Sequence, residues 1–226
     1  MSLKTQPEPE QNEVLERAKG FWEKNSRMIL YVSSAVILLA GGYLAYKYLI
    51  VLPNEQKAQE EIYKAENNFR KDSISLALNG NNSTPGFLKV IKKYGNTKTG
   101  NLAKFYAGEC YLQLGDFKNA AKNLEDFDAH GAKQVEAKTE GLLGDAYAEM
   151  KQNDKALEHY KKAGTIFPED AFMSSEYLFR AGMLYETIGK NKEAIELYKQ
   201  IKEKFPRSEK GYNIDKYLAR LGETNL

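Results

Sequence analysis

The sequence of 226 residues has a single cysteine, two histidines and a formal net charge of only +2. One cysteine excludes an internal disulfide framework and a metal site built from several thiolates. Two histidines disfavour a histidine-based metal centre. The balance of 33 basic against 31 acidic residues gives no electrostatic reason to expect nucleic-acid binding. Phosphate-binding glycine loops and paired metal-ligand spacings are also missing, so we predict no cofactor, no small-molecule substrate and no enzymatic activity.

Charge is absent from one long stretch, the nineteen residues from Met28 to Tyr46. As an α-helix this stretch would be roughly 28 Å long, close to the hydrocarbon thickness of a bilayer. We therefore predict a transmembrane helix over residues 28–52. A cleaved signal peptide is disfavoured because its apolar core is usually only about 7 to 15 residues long. A buried helix of a soluble protein would rarely lack charge over such a length.

The charges that flank this helix favour one orientation only slightly. Four basic residues precede the span, namely Arg17, Lys19, Lys24 and Arg27, and three follow it within a similar distance, namely Lys47, Lys57 and Lys64. This bias predicts a cytoplasmic N-terminal segment, 1–27. Within that segment, 14–22 is predicted to be either a short amphipathic helix on the membrane surface or part of a solvated tail.

Small residues within the span predict contact with another membrane helix. They are Ser34, Gly41, Gly42 and Ala45. Gly41 and Ala45 form a small-xxx-small pair, which lets a second helix approach closely. The alternative is that the span serves only as an anchor.

The rest of the chain, 53–226, repeats itself, with three equivalent glycines 36 and 38 residues apart. Each glycine is followed three residues later by a tyrosine and then, on the next predicted helix, by an alanine. The three sets are Gly108, Tyr111 and Ala120; Gly144, Tyr147 and Ala156; and Gly182, Tyr185 and Ala194. Glycine allows two helices to approach closely, the tyrosine fills the groove beside the contact, and alanine is the small partner. Cys110 lies inside this pattern and is predicted to be a buried structural thiol.

This pattern resembles the tetratricopeptide repeat, a helix-turn-helix unit of about 34 residues. The resemblance implies a helical repeat solenoid. Together with the apolar run, it predicts an all-α fold in which one N-terminal transmembrane helix is followed by this solenoid. We predict repeats at about 101–134, 137–170 and 175–208, and a capping helix over 209–222.

A degenerate repeat is predicted to come first, over about 55–98. Its parts would be a long first helix over 55–78, a loop over 79–85 and a second helix over 86–94. The first helix carries an apolar stripe at four-three-four spacing, formed by Ala58, Ile62, Ala65 and Phe69. We expect this stripe to pack either on the next repeat or on a partner.

The resemblance also implies a binding groove, because the first helices of such repeats line a concave face. The equivalent positions give an apolar strip and a set of acids: Leu102, Phe105, Leu112, Phe179 and Met183, edged by Glu109, Asp145, Glu149, Glu176 and Glu186. Acids at these places would repel a carboxylate, which disfavours the capture of chaperone C-termini. Alternatively, neighbouring helices pack over some of the apolar residues.

One span followed by a small repeat domain resembles the YfgM-type ancillary subunits of the bacterial Sec translocon. The resemblance implies a single-pass inner-membrane protein with its N-terminus in the cytoplasm and its repeats in the periplasm. The implied partners are the SecYEG channel, a PpiD-like membrane chaperone, emerging polypeptides and membrane lipid. The long 55–78 helix departs from the family pattern. Two other interpretations remain: an envelope scaffold for cell division or outer-membrane assembly, and a cytosol-facing receptor of reversed topology.

Overall fold

The fold is all-helical over residues 9–223, which are the residues described by this computed structural model, with side chains from residue 13. Within that range the structure contains eleven α-helices and one π-helical turn, and its only β interaction is an isolated bridge between Gly80 and Pro85. The chain divides into two compact units between Pro53 and Asn54. Residues 1–8 of the predicted N-terminal segment, together with 224–226, lie outside the described part.

The first unit consists mainly of one long helix, α1 (Pro9–Tyr46), followed by a π-helical turn (Lys47–Val51). The segment 14–22 is therefore helical and continuous with the apolar run. Leu38 and Leu39 are each 75% exposed, and no part of the most apolar 18-residue window, whose mean hydropathy is 1.9, is buried. Among the described residues this is the one stretch that is long and apolar enough to cross a membrane. No described residue of the chain buries this apolar window.

Helix α2 (Leu52–Arg70) carries the chain into the second unit, which is a solenoid of helix pairs. Three regular pairs follow a shorter N-terminal part, and a single helix ends the solenoid. The remaining helices are α3 (Ile74–Asn79), α4 (Phe87–Tyr94), α5 (Lys98–Gln113), α6 (Phe117–Glu125), α7 (Lys133–Glu149), α8 (Asn153–Ile166), α9 (Ala171–Thr187), α10 (Asn191–Lys204) and α11 (Glu209–Arg220).

The glycines of the sequence pattern lie where the two helices of each pair touch, as predicted. A Cβ atom at Gly108 would lie 2.5 Å from Leu124 Cγ, and one at Gly144 would collide with the ring of Tyr160. At Gly182 the equivalent collision is with Tyr198. Because side chains of the second helix occupy the space beside each glycine, the backbone of the first helix forms part of the core.

The predicted long helix over 55–78 is wrong, since α2 ends at Arg70 and α3 begins only at Ile74. Asp72 between them adopts φ = +58°, a left-handed conformation that interrupts a helix and that aspartate tolerates better than most residues. Two helices with a turn therefore replace the single predicted one.

The apolar stripe of α2 packs on the first regular repeat, which was one of the two predicted outcomes. Ala58, Ile62 and Ala65 are buried in one cluster with Ala103 and Ala107 of α5. The start of α2 is also hydrogen-bonded to the start of α5, where the Thr99 hydroxyl donates to Glu55 Oε1 at 2.6 Å. Helix α2 thus serves as the N-terminal cover of the solenoid.

Candidate binding groove

The first helices of the repeats and the terminal helix, namely α5, α7, α9 and α11, lie side by side. Contacts between residues about 35 positions apart connect them: Asp145 of α7 with Arg180 of α9, and Glu186 of α9 with Arg220 of α11. Between α5 and α7, Lys138 reaches Glu109. We call the surface of these helices that carries the ten predicted binding residues the groove.

Four of the five predicted groove acids form ion pairs with bases of the chain. Lys138 Nζ lies 2.7 Å from Glu109 Oε1, and Arg220 Nη2 lies 2.7 Å from Glu186 Oε1. Arg180 donates to Asp145 at 2.7 Å and to Glu176 at 2.9 Å. Because these bases stand beside the acids, most of the negative charge expected from the sequence is neutralised within the groove.

The same ion pairs shift the protonation equilibria of the groove. Burial alone would raise the pKa of Glu176, but hydrogen bonds from Arg180 and from Lys210, 3.1 Å away, outweigh it and hold that pKa below its ordinary value. Burial would lower the pKa of Arg180, yet Asp145 and Glu176 raise it. Burial and the adjacent Asp145 raise the pKa of Tyr160, whose hydroxyl donates to Asp145 Oδ1 at 2.7 Å. Glu176 and Arg180 therefore stay charged, and Tyr160 stays neutral.

The predicted apolar strip is less exposed than the sequence suggested. Phe105 is only 6% exposed and packs against Phe127 with ring centroids 5.4 Å apart, so its place on an open strip is corrected: it belongs to the core. Phe179 is half-buried beside Tyr198 and Tyr217. Leu102 is 36% exposed. The two other residues of the strip, Leu112 and Met183, are half-buried.

Cations of the ion pairs cover the two aromatic members of the strip. Lys138 Nζ lies 5.0 Å from the ring centroid of Phe105, and Lys210 Nζ lies 4.8 Å from that of Phe179. Each lysine thus contacts an aromatic face while its head pairs with an acid. Counting apolar and acidic positions along the sequence does not detect this arrangement, because each lysine comes from the helix that follows its aromatic partner in the groove.

A cavity of about 330 Å³ opens in the groove between α5 and α7. Its apolar lining is Leu112, Phe117 and Leu142, and its polar lining is Glu109, Gln113, Asp145 and Glu149. Phe117 and Leu142 were missed as groove residues, since Phe117 is the first residue of a second helix and only the three-dimensional packing brings it here. Glu149 is exposed, and no ion pair involves it among the described residues.

The cysteine and the two histidines of the chain lie in packing contacts or in a loop. Cys110 is fully buried, as predicted, and burial raises the pKa of its thiol to about 12. His159 stacks on Tyr147 with ring centroids 5.2 Å apart, and its Nδ1 lies 2.7 Å from Glu140 Oε2. His130 adopts φ = +48° in the loop before α7. Within residues 13–223, whose side chains the structure describes, no group of three or more His, Cys, Asp or Glu side chains is arranged to hold a metal ion.

The small residues of the apolar helix lie on the first unit and are all exposed: Ser34, Gly41, Gly42 and Ala45. Nothing lies within 4 Å of a Cβ atom placed at Gly41 or Gly42. Their packing against a second membrane helix stays a prediction.

Comparisons with known proteins agree with this geometry. The model of the family described as "Tetratricopeptide repeat-like domain" matches residues 19–214. No curated protein sequence matches the chain significantly. A crystal structure of MamA aligns with a TM-score of 0.55 at 19% identity, covering 71% of this chain and 86% of that one. A crystal structure of Podosopora anserina putative kinesin light chain nearly identical TPR-like repeats aligns with a TM-score of 0.57 at 17% identity, covering 75% and 87%. Likeness at such identities shows the fold alone.

Proposed function

Because the chain belongs to the tetratricopeptide repeat-like domain family, whose members act as protein-interaction modules, we propose that it is a membrane-anchored module which assists exported polypeptides at the Sec translocon. In this proposal α1 crosses the bacterial inner membrane with its N-terminus in the cytoplasm. The repeat unit lies in the periplasm, where it binds SecYEG, a PpiD-like membrane chaperone or an emerging chain. The protein performs no catalysis.

The observation that carries the anchoring step is that none of the most apolar window of the helix is buried. Side chains such as Leu38, Leu39 and Tyr31 are at least 75% exposed, and the most apolar window buries none of its residues. A soluble protein avoids a contiguous apolar surface of this kind, whereas lipid satisfies it without any further partner. The flanking bases weakly favour a cytoplasmic N-terminus.

The observation that supports the binding step is the groove. It combines half-buried apolar side chains, Leu112, Phe179 and Met183, with ion pairs that leave little net charge. Such a surface suits extended apolar segments, because a nearly neutral groove does not demand a strongly charged ligand. A chain emerging from a translocon presents segments of this composition.

The topology is tested by fusing to the C-terminus a reporter that is active only outside the cytoplasm. We expect activity in intact cells, because the proposal places the repeat unit in the periplasm. A cytoplasmic C-terminus would remove the translocon-facing function and favour the cytosol-facing receptor instead.

The partners are tested by affinity purification of the full chain from detergent-solubilised membranes. SecYEG and a membrane chaperone in the eluate support the proposal, whereas division or outer-membrane assembly proteins favour an envelope scaffold. The double variant Gly41→Leu/Ala45→Leu should reduce this recovery, because leucine would prevent the close approach of a second membrane helix. Val36→Leu/Tyr43→Leu is the matched control, since at 100° per residue these positions lie on the opposite face. Equal recovery of all forms would mean that the span is only an anchor.

A further inference from the structure

Four times in the groove, a cation of the chain lies on an aromatic ring and pairs with a nearby acid. Arg180 lies 5.6 Å from the ring centroid of Tyr177 and pairs with Asp145. Lys138 lies over Phe105 and pairs with Glu109, and Lys210 lies over Phe179 and pairs with Glu176. At the last helix Arg220 lies 5.0 Å from the ring centroid of Tyr217 and pairs with Glu186. The sets are Lys138, Phe105 and Glu109; Arg180, Tyr177 and Asp145; Lys210, Phe179 and Glu176; and Arg220, Tyr217 and Glu186. The groove is therefore built repeatedly around a base held between a ring and a carboxylate.

The cavity between α5 and α7 contains two of these three parts. Phe117 supplies the ring, and Glu149 supplies a carboxylate that is exposed and has no ion pair among the described residues. The other two carboxylates of the cavity are already engaged, Glu109 by Lys138 and Asp145 by Arg180. No cation of the described chain lies over Phe117.

We propose that this cavity receives an arginine side chain of the protein segment that the groove binds. The aliphatic stem would lie against Leu112 and Leu142, and the guanidinium would stack on Phe117 and pair with Glu149. The inference rests on the proposed binding role of the groove and specifies the chemistry of its ligand.

Charge and shape together select arginine. The five acids of the groove and its four paired bases (Lys138, Arg180, Lys210 and Arg220) leave one negative charge, that of Glu149. A cationic ligand side chain neutralises this charge, and an acidic one would be repelled. A volume of about 330 Å³ lies at the lower end for ligand pockets and suits a single long side chain. Arginine fits better than lysine because its planar guanidinium stacks on a ring and pairs with a carboxylate at once.

The test uses the full chain in lipid nanodiscs and three fluorescein-labelled peptides. Each peptide is an extended serine- and glycine-rich nonamer with two leucines that flank a central arginine, citrulline or norleucine. Citrulline keeps the shape of arginine and removes its charge. Fluorescence anisotropy gives the dissociation constants. We expect the citrulline peptide to bind about three- to five-fold more weakly than the arginine peptide, the range of a partly exposed ion pair.

Substitutions at Glu149 assign this preference to the cavity. Glu149→Gln should bind the arginine and citrulline peptides equally, and Glu149→Lys should prefer a fourth peptide with central glutamate. Glu158→Gln, a change at an exposed acid on α8, is the matched control and should keep the arginine preference.

The possible failures are distinguishable. Equal binding of the arginine and citrulline peptides by the unaltered chain, or an arginine preference that survives in Glu149→Gln, overturns the inference and leaves the proposed binding function standing. If none of the peptides binds, including the norleucine form, the groove does not bind such segments, and both proposals are overturned.

Discussion

The two units use apolar residues in opposite ways. In the first unit Leu38 and Leu39 are largely exposed, whereas in the second unit Leu124 and Tyr198 are completely or almost completely buried. The difference lies in spacing, since the run over 28–46 is apolar all around the helix, while the repeats place apolar residues on one side and small residues at the contacts. A helix that is apolar on all sides needs lipid or another protein to cover its surface, whereas a helix that is apolar on one side can bury that side against neighbouring helices of its own chain.

Glycine shows the same contrast. In the apolar helix Gly41 has no atom within 4 Å of its Cβ position, whereas at Gly144 that position is occupied by the ring of Tyr160. The same residue type therefore leaves a surface open in one unit and makes room for a core side chain in the other. Replacing Gly41 or Gly144 by a residue with a larger side chain, and comparing the unfolding free energies, tests this difference.

The largest effect is expected for Gly144→Val. The new side chain would collide with Tyr160 and force α7 and α8 apart, so we expect a loss of about 3 kcal/mol in the unfolding free energy. Urea unfolding of the full chain in detergent, followed by circular dichroism, measures it. Gly41→Val is the matched control and should change this free energy by less than about 0.5 kcal/mol. A similar cost in both variants would contradict the contrast between the units.

A smaller effect on stability is expected in the groove of the second unit, where side chains such as Phe179 are only half-buried. Phe179→Ser removes a ring that contacts Tyr198 and Tyr217, and we expect a loss of about 2 kcal/mol, below that of a fully buried phenylalanine. The matched control is Phe172→Ser on the same helix, where the ring is 66% exposed and the cost should stay within about 0.5 kcal/mol. Thermal melting compares the two variants. Equal melting temperatures would mean that Phe179 contributes no packing and is free for a ligand.

The helix pairs could be predicted because each contact between two helices requires a small residue at one defined position of the sequence. Gly144 and Ala156 are small where two helices touch, and they recur with the repeat as Gly182 and Ala194. A periodic requirement for small residues leaves a periodic pattern. The interruption between α2 and α3 at Asp72 leaves no such pattern in the sequence. The neighbours of Asp72 are neither glycine nor proline, and an aspartate with positive φ has no sequence signature of its own.

The groove could be predicted only in outline. Its acids were recognised from their repeat positions, but their neutralisation depends on bases from the next helix, such as Arg180 beside Asp145 and Arg220 beside Glu186. These ion pairs join residues 35 and 34 positions apart, and they can be recognised only when the arrangement of successive repeats is known. The burial of Phe105 has the same origin, because Phe127 from the loop after α6 and Lys138 from α7 cover it.

The smallest effect concerns Glu140, a carboxylate that is only 8% exposed in the second unit. Burial would raise its pKa, but hydrogen bonds from His159 and Lys162, each at 2.7 Å, outweigh burial and lower that pKa below 4.5. Since the folded-state pKa is lowered, the contribution of Glu140 to stability is fully present above pH 4.5. It is lost as the pH falls through the lowered value.

Glu140→Gln should therefore reduce the unfolding free energy by about 1 kcal/mol near neutral pH, because the amide keeps only part of the hydrogen bonding. The difference from the unaltered protein should shrink on acidification below pH 4.5. Chemical unfolding at a series of pH values measures it. Glu136→Gln, one turn earlier on α7 and without an ion pair among the described residues, should show neither effect. A difference that grows on acidification would show that Glu140 is destabilising as a carboxylate, and the second unit would then tolerate its buried charge instead of using it.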